Sequence, residues 1–513
     1  MRRRDFLRGL PAVGATAAWA RCAREPALLP AGYDGWGATP PEYASLMPGA
    51  SLVPDGVLEV FLMGGLCPWD TFYVVPEYGR AEKRLWWTFQ EGKDSVPEVF
   101  YDRCGVSSAE ALTSPFGASD SSGVPIALGP WLQPLRSRPD ILDRMRIVVM
   151  QHHLEPHEVA TPVALCGLPR GLPRMSATGA HVQRHAQALA GGRVAPWAYN
   201  IFSSNTEIEA QFDIDAAAAS GLHPASARPL QIRLAQNSAS MTAQLRREHL
   251  GAARTSVDAA VQHYLDRYRT SLSGGRELVS RVVDDFAQAR YSLGYGDHLA
   301  EIIKPELLVP ITGSSACGST TDFDSTATGL RLGTHLLRHA ESPARHVTYI
   351  DSGLVNAMGA GYDSHDYHVV ESSRNVFHLA RTLAATINNK PAGEADPAKL
   401  DLDRQMIVLA TEFGRTPYPE TGKPQGLDHW PFGYAVVLIG GPIRSRSVAG
   451  AIGPDGVATR AFTPAELRAA LLMAQGIWPF TDESFAIGDI RGATSHEGAA
   501  RILREQLLGI PAA

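Results

Sequence analysis

Apolar residues recur along the chain in two rhythms. Five short, nearly unbroken runs, 57–63, 146–150, 346–350, 406–410 and 435–439, are dominated by Val, Ile, Leu and Met. Continuous apolar runs of this length predict strands buried on both faces, not the alternating strands of a half-exposed sheet. Between them lie helical spacings, chiefly over 329–340 and 373–387. Strands alternating with helices predict an α/β protein with a doubly wound, mostly parallel sheet. A last helix is expected over 463–477, with Thr463 as its N-cap and Pro464 at its first position.

The stretch 205–305 has a different texture. Val257, Val261, Tyr264, Leu265 and Tyr268, then Leu278, Val282, Val283 and Phe286, recur at helical spacing without a strict heptad. They predict a helical insertion covering one face of the sheet. Pro26, Pro30, Pro40, Pro41, Pro48 and Pro54 make 21–55 a linker. The expected order is therefore a leader at 1–20, the linker, a first core part at 56–204, the insertion at 205–305 and a second core part at 306–513.

Charge and composition narrow the function. Lys and Arg total 47 against 53 Asp and Glu, a net −6 that offers no basic face for nucleic acid. No run of about twenty apolar residues follows the N-terminal segment, so no transmembrane segment is expected. Five cysteines without a CxxC pair (Cys22, Cys67, Cys104, Cys166, Cys317) fit neither a zinc knuckle nor a disulfide scaffold. No GxGxxG follows the first strand, which removes the basis for a dinucleotide oxidoreductase. The N-terminus carries Arg3-Arg4-Asp5-Phe6-Leu7, then a Gly/Ala-rich stretch ending at Ala18 and Ala20. This resembles a twin-arginine export signal, which implies the translocation machinery as a partner and a periplasmic or cell-surface destination.

Ligands of open parallel sheets bind beyond the carboxyl ends of the strands. Asp70 lies a tight turn past the first strand, and His152, His153 and His157 follow the second. Asp363, Ser364 and His365 follow the third, Glu412 and Arg415 the fourth, while Asp428 and His429 precede the fifth. Carboxylates mixed with imidazoles suit one or two divalent ions, Zn²⁺, Mn²⁺, Fe²⁺ or Mg²⁺. Taken singly each group has a plain structural reading: a loop hydrogen-bond pair, a packed histidine, a helix cap, an Arg415–Glu412 ion pair. Their convergence on one rim points to metal chemistry.

Three motifs give the sequence a family likeness: 411–417 (TEFGRTP), 426–431 (GLDHWP) and 362–365 (YDSH). The chain resembles the DUF1501 family over about 55–480, exported proteins related in fold to alkaline phosphatases and sulfatases. The resemblance implies a two-metal hydrolase core. Asp363, His365 and His429 would hold one ion. Asp70 and Glu412, with a group from the 152–161 loop such as His153, would help hold the other, and Asp428 stands beside the first. The sequence departs from that superfamily at Glu412-Phe413, where an Asp-His pair is usual, and the nearest hydroxyl to the nucleophile's place is Thr161.

Together these features lead to the expectation of an exported hydrolase of phosphate or sulfate esters. A divalent ion would activate water or a hydroxyl and stabilise the anionic oxygens. Arg415 would clamp the anion, and His157 would act as ligand or proton shuttle. The rival reading is a non-catalytic surface protein that binds a polysaccharide or a partner on a degenerate hydrolase fold.

Overall fold

A computed structural model describes residues 35–78, 113–169, 172, 176–189, 197–203, 230–233, most of 256–267, 296–308, 311, 324–354, 361–390 and 394–511. The leader, the linker up to residue 34 and most of the 205–305 insertion lie outside the described residues.

Fourteen strands run in chain order among them: β1 Gly56–Leu62, β2 Ser114–Ser119, β3 Pro125–Leu128, β4 Met145–Met150, β5 Tyr199–Ser203, β6 Leu230–Arg233 and β7 His346–Asp351. There follow β8 Gln405–Ala410, β9 Gly414–Glu420, β10 Lys423–Trp430, β11 Tyr434–Gly440, β12 Ser447–Ala449, β13 Ala451–Ile452 and β14 Ala458–Arg460. Eight form one sheet in the order β12-β4-β11-β8-β1-β7-β5-β6. Every pairing is parallel except those of β11, which runs against both β4 and β8. The five strands expected from apolar runs are β1, β4, β7, β8 and β11, and all five are buried along their length.

The principal helices are α1 His157–Cys166, α2 Thr178–Leu189, α3 Ser325–Arg338, α4 His368–Thr386 and α5 Pro464–Ala474. They make two apolar layers. Leu58, Val60 and Leu62 of β1 face a cluster with α3, α4 and the 130–142 segment. Val57 and Phe61 face the other, with α1, α2 and α5. The approach is close: a Cβ on Gly329 of α3 would lie 2.1 Å from the Tyr349 ring of β7, so the helix needs glycine there. α5 starts as its sequence predicts, with Thr463 and Glu466 forming a reciprocal capping box and Pro464 in the first turn.

One charged residue interrupts the middle of β1. Glu59 points into the second layer, where Arg468 of α5 reaches it at 2.5 Å. His346 and Thr348 bond its other oxygen at 3.3 and 3.2 Å. Burial disfavours the Glu59 anion, but Arg468 and His346 more than offset this and lower its pKa to about 2.

Candidate metal centre

The reversal of β11 explains why a strand entrance joins four strand exits. Because β11 is antiparallel, its first residue, Tyr434, pairs with Met150 at the end of β4. The segment before β11 therefore arrives at the carboxyl edge of the parallel strands. That segment is the second strand of a hairpin, β9–β10, in which His429 pairs with Arg415 and Trp430 with Gly414.

Four side chains from three distant segments meet at this edge: His157, Asp363, His365 and His429 each offer a ligand atom within 4.8 Å of the others. His365 Nε2 lies 3.0 Å from Asp363 Oδ1 and 3.0 Å from His429 Nε2. His429 Nε2 is 3.9 Å from the same Asp363 oxygen, and His157 Nε2 is 3.5 Å from Asp363 Oδ2. His157 is nearly enclosed, while Asp363, His365 and His429 remain partly open to solvent.

Each group is held from behind. His157, the first residue of α1, bonds Glu412 Oε1 through Nδ1 at 2.8 Å, and the Gly64 N–H donates to the same oxygen at 2.8 Å. His152 donates to the Glu412 carbonyl at 2.6 Å, fixing the turn after β8. Asp363 follows Tyr362, whose hydroxyl donates to Asp351 Oδ2 at 3.0 Å at the end of β7. His365 Nδ1 meets Glu420 Oε2 at 2.7 Å. Phe413 lies against the His429 ring at 4.3 Å between centroids.

Proton affinities follow from this geometry. Burial pulls the His157 imidazole toward neutrality, but Asp363 and Glu412 outweigh it and raise its pKa to about 9. Burial also opposes charge on Asp363, yet the three histidines and Arg415 hold its carboxyl far below the usual range. The bond to Asp363 raises His365 against burial and the Arg415 charge. His152, buried and donating only to a backbone carbonyl, is shifted down.

The remaining expected residues sit elsewhere. Arg415 is fully buried and donates to the Gly64 and Leu427 carbonyls and to Asp363, so its guanidinium supports the centre from beneath instead of facing an open anion pocket. Glu412 is the support of His157. Asp428 is largely exposed, 3.9 Å from His365 Nδ1. His153 is exposed beside Phe432. Thr161 is wholly buried in α1, and its hydroxyl has no hydrogen-bond partner. Asp70 joins a separate group with Cys67 and His368. Sequence reasoning missed Glu420 and His368 as site residues; no motif marks them, and only the folded hairpin and the start of α4 bring them in.

The donor set fits a divalent transition ion. Two imidazole nitrogens and a carboxylate oxygen, all lone-pair donors, point toward one another within 3.0–3.9 Å. One cation satisfies all three at once, whereas protons must be shared unequally among them. Packing of the loop against the hairpin is tight enough to test. A Cβ on Gly426 would lie 1.5 Å from the His365 carbonyl oxygen. Gly426→Ala is therefore expected to cost about 1–3 kcal/mol, the range for forced overpacking, and to weaken metal uptake. Thermal melting and metal titration of the variant check this.

A family model described as a protein of unknown function, DUF1501, matches residues 343–496. The matched region carries Asp363, His365, Glu412, Arg415, Glu420 and His429, but not His157. No curated protein and no solved structure matches the chain.

Proposed function

We propose that the chain, whose residues 343–496 match the DUF1501 family model, is an exported, metal-dependent hydrolase of phosphate or sulfate esters, built on an alkaline phosphatase-like sheet. The observation that carries this is the convergence of His157, Asp363, His365 and His429 at the carboxyl edge of the sheet. Asp363, His365 and His429 would hold the ion, with His157 beside them. When bound, the ion supplies Lewis-acid polarisation of the ester's oxygens.

The chain's own residues do the rest. Arg415 and Tyr362 fix Asp363, Glu420 fixes His365, and Phe413 fixes His429, so the donors stay aligned without a substrate. Glu412 orients His157 so that Nε2 faces the centre, where it holds a proton within reach of a bound ester. The partly open face formed by Asp363, His365 and His429 admits a small anionic ester. Turnover of aryl phosphates and aryl sulfates by metal-loaded protein tests the proposal; no turnover of either class by protein with a full centre rules out the catalytic reading.

A second reading has one specific observation in its favour. The Thr161 hydroxyl is buried in α1, and Ser364 Oγ is committed to His368 at 2.6 Å. A centre with no free hydroxyl nucleophile among the described residues suits a surface protein that binds a polysaccharide or partner through its metal.

Export is part of the proposal, with the twin-arginine machinery as partner and the periplasm or cell surface as destination. Replacing both Arg3 and Arg4 with lysine is expected to leave the protein inside the cell, uncleaved and folded. Cell fractionation with immunodetection reads the result, and normal export of the double variant removes the leader assignment.

A further inference from the structure

Next to the centre lies a second group of different chemistry. Cys67 precedes and Asp70 ends the short turn Pro68–Asp70 after β1, and His368 is the first residue of α4. All three are buried, at 2, 1 and 4 % exposure, and each offers a ligand atom within 4.8 Å of the others. His368 Nε2 is 2.7 Å from Asp70 Oδ2. The other Asp70 oxygen, Oδ1, is buried without any hydrogen-bond partner, an uncommon state for a carboxylate in a dry interior.

We propose that Cys67, Asp70 and His368 form a second, enclosed metal site for a borderline-soft divalent ion such as Zn²⁺. The donor set of thiolate, carboxylate and imidazole is one that Zn²⁺ accepts. With bond lengths of about 2.3 Å to sulfur and 2.0–2.2 Å to nitrogen and oxygen, tetrahedral donors stand roughly 3.3–3.7 Å apart. The three ligand atoms already lie within 4.8 Å of one another, with His368 Nε2 and Asp70 Oδ2 at 2.7 Å. Charge also balances, because a thiolate and a carboxylate neutralise a divalent ion, which suits a buried site whose fourth position a single water would fill. Binding displaces the Cys67 thiol proton to solvent, and ligation through His368 Nε2 places the ring proton on Nδ1.

His368 Nδ1 then donates to Ser364 Oγ, which lies 2.6 Å away. An outer partner of this kind orients a metal-binding imidazole. Ser364 sits between Asp363 and His365, so the enclosed ion ties the turn after β1 to the segment that presents two donors of the open centre. Its role is structural, since none of its three side chains is more than 4 % exposed. The proposal does not depend on the open centre being catalytic.

Cobalt distinguishes the two sites, since the open centre contains no sulfur. Full-length protein loaded with Co²⁺ alone is expected to take up two equivalents and to show a sulfur-to-cobalt charge-transfer band in the near ultraviolet. Cys67→Ala should lose the band and one equivalent. His429→Ala should keep the band and lose the other equivalent. Asp70→Asn and His368→Gln, milder changes that guard against misfolding, should each weaken the band-forming site at least tenfold with unchanged far-ultraviolet circular dichroism. Absence of the band in saturated wild-type protein overturns the proposal, as does its survival in Cys67→Ala. A band without ester turnover leaves this site standing and removes only the hydrolase reading.

Discussion

His429→Ala is expected to empty the open centre while leaving the fold in place. Its Nε2 is one of the three atoms that converge on a single point, 3.0 Å from His365 and 3.9 Å from Asp363. The imidazole is partly exposed, and Phe413 keeps its place in the core behind it. The stability loss should therefore be small, but metal affinity should fall by more than the ~10–100-fold that loss of an outer partner costs. Glu420→Gln supplies that comparison, because Glu420 touches the centre only through His365 Nδ1. Elemental analysis after dialysis, together with aryl phosphate and sulfate turnover, reads both variants. Retained metal and activity in His429→Ala would falsify the assignment.

Arg468→Met should produce the largest stability loss in the molecule. Among the described residues it removes the only cationic side chain paired with Glu59 other than His346 and leaves Oε1 of a buried carboxylate unpaired, with His346 and Thr348 on Oε2. Breaking one side of a buried pair costs about 3–5 kcal/mol, whereas replacing both sides with apolar groups is often neutral. Glu59→Leu combined with Arg468→Met should recover most of the loss, with His346 and Thr348 left to repack. Urea unfolding of the two single variants and the double variant measures the coupling, and additive losses would show that the pair is not coupled. The pH dependence has a definite sign. Glu59 has its folded pKa lowered from 4.5 to about 2, so its contribution is present above pH ~4.5 and fades as pH falls toward ~2. The wild-type protein should lose stability across that window more steeply than the double variant.

How far these features can be read from sequence depends on whether their signal is local. β1, β4, β7, β8 and β11 are legible because a strand buried on both faces must be apolar throughout. The hairpin β9–β10 is not, since Pro417, Pro419 and Pro424 with scattered charges read as a loop. Nor is β5, where buried Asn200 and Ser203 break the apolar run. Nothing in 434–440 announces that β11 runs backwards; its direction comes from pairing with β4 and β8. Asp363, His365 and His429 stand out because acids and histidines at strand ends are rare enough to notice. Cys67 and His368 carry no such mark, and their meeting depends on where α4 begins. Glu59 offered a clue: an acid inside an apolar strand needs a buried partner, though only the fold names Arg468.

The strand order also governs when the protein can become itself. Among the described strands β1 hydrogen-bonds only β7 and β8, and β4 only β11 and β12. Of the sheet's pairings, β5 with β6 alone joins strands made before residue 340. A nascent chain therefore holds β1 without its sheet neighbours until β7 ends at Asp351, and β4 without β11 until Gly440. Closing such distant contacts is slow and leaves apolar edges exposed meanwhile. Neither cluster of donors is complete before its last member is made, His368 for the enclosed group and His429 for the open centre.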